Sequence, residues 1–282
     1  MTEREAAPAA ASERASHNLL ARILASLVLA PVTIGAAYAG DWLWTALVTL
    51  AAIGLYLEWL MIVGAARAIR ITVSGSVALV VAGSYLAAGA IDLALAAQLL
   101  GLVVVALLSS EQRGWAAAGF LYAAAAQMAS VLVRLDPVAG FAALIFVLLV
   151  VWVTDIGGYF AGRGLGGPKL WSRVSPKKTW AGAIGGFAAS LMVAGGFAGF
   201  GLGRTLPLLL LAAMLSVASQ LGDLFESAIK RRFGVKDSSQ IIPGHGGLMD
   251  RLDGFVAAIV LAAIFGILRG GMDGVGRALM IW

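Results

Sequence analysis

The stretch Thr205–Lys230, TLPLLLLAAMLSVASQLGDLFESAIK, decides how this chain folds. Its first half is an apolar run. Its second half sets Asp223, Glu226, Ser227 and Lys230 three or four residues apart, so a helix carries all four on one face. About 20 apolar residues in a helix span the hydrocarbon core of a bilayer. The segment therefore reads as a membrane helix that ends in a charged stripe. An ionisable side chain at membrane depth costs roughly 2.5–3.5 kcal/mol on insertion scales. Several on one stripe call for a polar cavity, a metal or mutual pairing. For Glu226 and Lys230 alone, a simple interfacial salt bridge is the competing explanation.

The rest of the chain has the same character. Of 282 residues, 61% are hydrophobic and 12% charged, with a mean hydropathy of +0.93. Soluble domains carry about 25% charged residues, so this chain cannot build a water-facing surface. Its apolar runs predict nine helices, at 19–39, 42–64, 71–90, 92–109, 115–134, 138–161, 180–201, 205–229 and 252–269. The expected fold is an all-α, polytopic integral membrane protein with its N-terminus in the cytoplasm. Residues 1–18 are polar and predict a disordered cytoplasmic tail. Residues 19–137 form an N-terminal set of membrane helices, and 138–282 form a catalytic membrane region with cytoplasmic loops at 162–179 and 230–251. The apolar run from Leu19 is too long, and too poor in cleavage signals, for a removed signal peptide.

Charge placement sets the expected orientation. Of the 20 Lys and Arg residues, only Arg134, Arg204, Arg269 and Arg277 fall outside when the N-terminus is inside. The positive-inside rule favours that arrangement and puts both long loops in the cytoplasm. The net charge of +5 then reads as topology plus an anionic ligand, with no nucleic acid. The absence of cysteine excludes disulfides, zinc–thiolate sites and thiol nucleophiles. Two histidines, His17 and His245, exclude a multi-histidine metal centre. Gly182, Gly185 and Gly186, with Gly195, Gly196 and Gly199, predict close helix packing. Trp42, Trp44, Trp59, Trp115 and Trp180 lie near helix ends, where indole rings favour the membrane interface.

The loop after the charged stripe carries chemistry suited to phosphate. Gly244, Gly246 and Gly247 around His245 let backbone N–H groups approach an anion, although a flexible turn explains that run alone. Lys230, Arg231, Lys236 and Arg251 supply positive charge. Asp250 and Asp253 begin the ninth helix and offer hard oxygen ligands suited to Mg²⁺.

Ser227–Asp253 resembles the signature of the CDP-diacylglycerol synthases, the phosphatidate cytidylyltransferases. Its fixed positions are met by Ser227, Lys230, Arg231, Lys236, Asp237, His245, Gly246, Gly247, Asp250, Arg251 and Asp253. A second segment agrees: Asp155-Ile156-Gly157-Gly158-Tyr159, then Ser175-Pro176-Lys177-Lys178-Thr179. It departs from the family pattern at Gly158, where Ala is common, and at Ala181, where many members carry Glu. Up to about residue 140 the likeness is one of hydrophobic, multi-helix character only.

The resemblance implies that CTP and phosphatidate give CDP-diacylglycerol and pyrophosphate in phospholipid biosynthesis, with Mg²⁺ as cofactor and room for a second cation. It implies Asp223 and Asp250 as metal ligands and Asp223, Lys230, Asp250, Asp253 and His245 as the catalytic set. Asp155, Ser175, Lys177, Lys178, Glu226, Ser227, Arg231, Lys236, Asp237, Gly246, Gly247 and Arg251 would bind substrate. It further implies a homodimer in a bacterial-type inner membrane, with the site facing the cytoplasm. A CTP-dependent polyprenol or phytol kinase is the nearest alternative. A secondary transporter is disfavoured, because the charges sit at helix ends and the halves show no repeat.

Overall fold

The computed structural model describes residues 30–109, 113–239 and 246–282. The expected tail at 1–18, most of the first predicted helix, and His245 lie outside them. Among the described residues, eight helices are long and apolar enough to cross a membrane. They follow α1, whose described part is 30–39. They are α2 (Asp41–Ile62), α3 (Ile69–Ala87), α4 (Ile91–Leu108), α5 (Arg113–Leu135), α6 (Gly140–Leu165), α7 (Trp180–Gly199), α8 (Thr205–Arg232) and α9 (Met249–Gly270). A short α10 (Val275–Met280) follows a single 3₁₀ turn. The chain is an all-α polytopic membrane protein, and each long helix matches a predicted one.

Lipid tails are as apolar as leucine, so burial alone does not hold such helices together; close packing and buried hydrogen bonds must. Both are present. A Cβ on Gly157 of α6 would lie 2.7 Å from Ala189 Cβ of α7, and one on Gly182 would lie 2.8 Å from the Gly158 carbonyl. Gly182, Gly185 and Gly186 therefore pack as expected. Around Gly195, Gly196 and Gly199 there is open space, so those three are not packing glycines. In the N-terminal half, Gln127 Nε2 donates to Thr49 Oγ1 at 2.9 Å and to the Leu79 carbonyl at 2.9 Å. Gln98 Nε2 donates to Gln127 Oε1 at 3.0 Å. This buried chain of amides ties α2, α3, α4 and α5 together.

Two apolar clusters form the interior. One centres on Leu144, Phe146, Leu211 and Ile259. The other joins Tyr56, Trp59 and Phe120 to Ile229, Met249 and Val256. Each draws on both halves of the chain, so the N-terminal helices are packed against the C-terminal ones. Trp42 and Trp180 are exposed, as interfacial rings should be. Trp44 and Trp59 are buried instead, because their indole N–H groups find interior carbonyls, at Ser130 (3.0 Å) and Trp115 (2.8 Å).

The expected loop at 162–179 is largely ordered. Helix α6 continues to Leu165, and an antiparallel hairpin follows, β1 (Lys169–Trp171) with β2 (Ser175–Thr179). Thr179 ends the hairpin and caps α7, its Oγ1 accepting from the Gly182 amide at 3.1 Å. The opposite end of the bundle collects Arg134, Arg269 and Arg277. Arg134 donates to the Ala37 carbonyl, Arg269 to the Ala278 carbonyl and Arg277 to Asp136.

Candidate active site

The charged stripe of α8 faces its neighbours because glycine lets α9 come close. A Cβ on Gly222 would lie 2.6 Å from the Asp253 carbonyl, and one on Gly254 would lie 2.5 Å from Ser219 Oγ. That approach brings the acids of α8 and α9 to one region, where they divide into two linked groups.

The first group lines a cavity of about 450 Å³ between α6, the hairpin, α7 and α8. Asp155, Arg163, Lys177, Lys178 and Asp223 all face it. Lys178 Nζ forms an ion pair with Asp223, and Ser227 Oγ donates to Asp223 Oδ1 at 3.4 Å. Asp155 and Asp253 both lie within electrostatic reach of Asp223 and Lys178. Three carboxylates thus surround one lysine. The cavity also has apolar and aromatic lining, from Leu170 and Tyr159, and Arg163 Nη1 donates to Tyr159 Oη at 2.7 Å.

The second group is buried. Lys230 Nζ bridges Glu226 Oε2 at 2.7 Å and Asp250 Oδ1 at 2.5 Å. The other Asp250 oxygen accepts from the Ser238 amide (3.1 Å) and the Gly247 amide (3.0 Å), and Ser238 Oγ lies 3.1 Å from it. Glu226 is 1% exposed, and its Oε1 has no hydrogen-bond partner among the described residues. Nor do the buried hydroxyls of Ser219 and Tyr122. Trp59, Tyr122 and Phe225 stack in a tilted set with centroids 5.5–6.4 Å apart, joining α2 and α5 to this part of α8.

The sequence missed one residue of this group. Glu58 of α2 is fully buried and accepts from Ser238 Oγ (2.8 Å), Ser239 Oγ (2.6 Å), the Leu248 amide (2.7 Å) and the Met249 amide (2.7 Å). This alters the reading of the glycine turn. The Gly247, Leu248 and Met249 amides meet the protein's own carboxylates, Asp250 and Glu58, where an open nest for an external anion was expected. A helix N-terminus favours a negative charge, and here the chain supplies it. Gly246 has φ +80, a conformation that suits glycine, and a Cβ on Gly247 would lie 2.6 Å from Glu58 Oε2.

The remaining predicted residues surround these groups. Ser175 pairs with Trp171 across the hairpin. Arg231, Lys236, Asp237 and Arg251 are exposed, and Arg231 Nη1 donates to the Val235 carbonyl at 3.1 Å. The second residue that sequence reasoning missed is Arg163, which had counted only as inside-facing charge.

The donor set can be tested against a divalent cation. Among the described residues, no three His, Asp or Glu side chains converge closely enough to hold a metal alone. Mg²⁺ does not require that, since it commonly takes one or two carboxylates and completes its shell with water and substrate phosphate. Hard oxygens in excess over lysine, beside a cavity lined by Arg163, Lys177 and Lys178, fit such an ion.

Comparison with known proteins agrees with this chemistry. The chain belongs to the cytidylyltransferase family, whose model matches residues 20–268. It is similar to the phosphatidate cytidylyltransferase of Brucella suis biovar 1 (strain 1330), 40% identical over 262 residues, covering 91% of this chain and 96% of the relative. The phosphatidate cytidylyltransferase of Staphylococcus haemolyticus (strain JCSC1435) is 49% identical over 124 residues, 43% of this chain and 47% of the relative. That of Bacillus subtilis (strain 168) is 47% identical over 122 residues, 42% and 44% of the two chains.

Proposed function

We propose that this family member transfers the cytidylyl group of CTP to phosphatidate, giving CDP-diacylglycerol and pyrophosphate for phospholipid biosynthesis. The observation that carries the reading is the meeting of Lys178 and Asp223 at a cavity lined by α6, α7, α8 and the hairpin. It sets phosphate-binding and metal-binding chemistry beside apolar walls. The family match and the relatives' names support the same reaction.

Phosphate monoesters have a second pKa of about 6, so phosphatidate is largely dianionic at neutral pH. One of its oxygens attacks the α-phosphorus of CTP, the Pα–O bond to the β-phosphate breaks, and pyrophosphate leaves. No general base is required, and the residues need not form a covalent intermediate. Their task is to bring two polyanions together and to stabilise the charge that builds on the leaving group. Lys177, Lys178 and Arg163 contact phosphate at the cavity, with Asp155, Ser175 and Ser227 orienting them. The exposed Arg231, Lys236, Asp237 and Arg251 form the outer, water-facing side, and His245 keeps the part that the family resemblance implies for it. Lys230 is only 9% exposed and holds Glu226 and Asp250 together, so in this reading it positions them.

Mg²⁺ belongs to the proposal: Asp223 at the cavity and Asp250, whose oxygens here meet Lys230, Ser238 and Gly247, would hold it, with Asp253 near Asp223. When bound it would neutralise phosphate charge and polarise the phosphoryl oxygens. The cavity faces the cytoplasm of a bacterial inner membrane, where CTP is available. The segregation of Lys and Arg supports that orientation, as does the collection of Arg134, Arg269 and Arg277 at the other end. The homodimer implied by the family resemblance is part of the same reading.

Purified protein given α-³²P-labelled CTP, phosphatidate and Mg²⁺ should yield labelled CDP-diacylglycerol and unlabelled pyrophosphate in equal amounts. Release of CDP with phosphorylation of an added lipid alcohol would replace this reading with that of a lipid kinase.

A further inference from the structure

We infer that Glu58 is a positioning residue for the reaction: from α2, it clamps the two ends of the 238–249 loop and so fixes Asp250. The inference rests on the reading that Asp250 serves the transfer reaction.

Four observations carry it. Glu58 is fully buried in a membrane helix, where a carboxylate is expensive unless its oxygens are satisfied. Its four donors all come from one loop, two at the start (Ser238 and Ser239) and two at the end (Leu248 and Met249). The N-cap residue of α9, Leu248, has no side chain that caps the helix, and Glu58 accepts the Leu248 and Met249 amides from another helix, where a negative charge is favoured. Finally, Ser238 Oγ is within hydrogen-bond reach of both Glu58 Oε2, at 2.8 Å, and Asp250 Oδ2, at 3.1 Å. One hydroxyl therefore separates the clamp from the acid assigned to the reaction. The aromatic set of Trp59, Tyr122 and Phe225 holds α2 against α8 next to it.

The arrangement gives the N-terminal half a part in catalysis. Asp250 sits in the first turn of α9, so the seating of that helix end sets where its carboxylate lies. A misplacement on the scale of an ångström is enough to cost about 100-fold in rate.

Glu58→Gln is the test, made in the full-length chain. It keeps the shape but turns one acceptor into an NH₂ donor facing other donors. In the purified variant, hydrogen exchange of peptides covering 246–252 should rise by about tenfold while α3–α4 peptides stay unchanged. Turnover number should fall by about 30-fold, with KM for CTP moving by less than about threefold. Ser238→Ala should show the same pattern more weakly, and the double variant should lose less than the product of the two single losses. If Glu58→Gln cannot be purified folded, Ser238→Ala carries the same readouts. A turnover number within about threefold of the parent overturns the inference. So does faster exchange spread over the whole chain, which would mark Glu58 as a general packing residue. Local loosening of the loop in a protein whose parent makes no CDP-diacylglycerol would leave the clamp standing and remove the proposed reaction.

Discussion

Lys178, on the second strand of the hairpin, and Asp223, on α8, form an ion pair in the lining of the cavity. Both side chains remain about one-third exposed, 28% and 31%. The pair joins the two segments that the sequence had singled out separately. It also separates function from stability, because part-exposed pairs contribute little to folding.

Lys178→Ala and Asp223→Ala should each lower CTP-dependent turnover by about 100-fold or more, as expected when a charged group at a phosphoryl centre is removed. Their amounts in membranes and their thermal midpoints should stay close to the parent's. Turnover within a few-fold of the parent in either variant would remove this pair from the reaction.

Lys230 should behave differently. It is buried between Glu226 and Asp250, and removing one partner of a buried ion pair costs about 3–5 kcal/mol. Lys230→Met should therefore lower the thermal midpoint in detergent sharply, whereas Lys178→Met should not. Equal midpoints for the two variants would show that the buried pairing contributes little.

The far end of the bundle supplies a pH dependence. Burial pushes the Asp136 carboxyl up, but the Ala139 and Val138 amides (both 2.9 Å) and the Arg277 guanidinium (2.6 Å) outweigh it and hold the group below the ordinary carboxylate range. A depressed folded-state pKa stabilises above the unfolded value of about 3.9, and the gain is lost as pH falls through the folded value. Asp136→Asn should be less stable than the parent at neutral pH. The difference should shrink below about pH 4, as followed by thermal unfolding across the acid range. A constant difference would mean that the carboxylate charge is not the cause.

Orientation can be read directly because the chain has no cysteine. Arg173→Cys, in the exposed hairpin turn, and Leu202→Cys, between α7 and α8, lie on opposite ends of α7. In intact cells a membrane-impermeant maleimide should label Leu202→Cys and spare Arg173→Cys. The reverse pattern would turn the site to the outside.

Much of the fold follows from the sequence because membrane insertion is a local property. Each apolar run is long enough to cross the bilayer by itself, and the spacing of Asp223, Glu226 and Lys230 alone sets them on one helix face. Helix ends differed by a few residues, most at α6, whose glycine-rich end stays helical because it packs on α7. The hairpin was not legible, since SPKKT has no alternation of apolar and polar residues to mark a strand.

The tertiary structure decided which charges meet. Sequence spacing suggested Glu226 with Lys230, and that pair forms, but Lys230 also holds Asp250, and Asp223 turns to Lys178 on the hairpin. Glu58 shows the limit most clearly. In its own helix it is one acid among apolar neighbours, with nothing nearby to predict a partner. Its four donors come from a loop that meets α2 only when the bundle assembles. The sequence by itself determined that TLPLLLLAAMLSVASQLGDLFESAIK would cross a membrane and end in charge. Only packing determined how that charge is shared, because hydrogen bonds and ion pairs depend on distances between helices that local spacing does not contain.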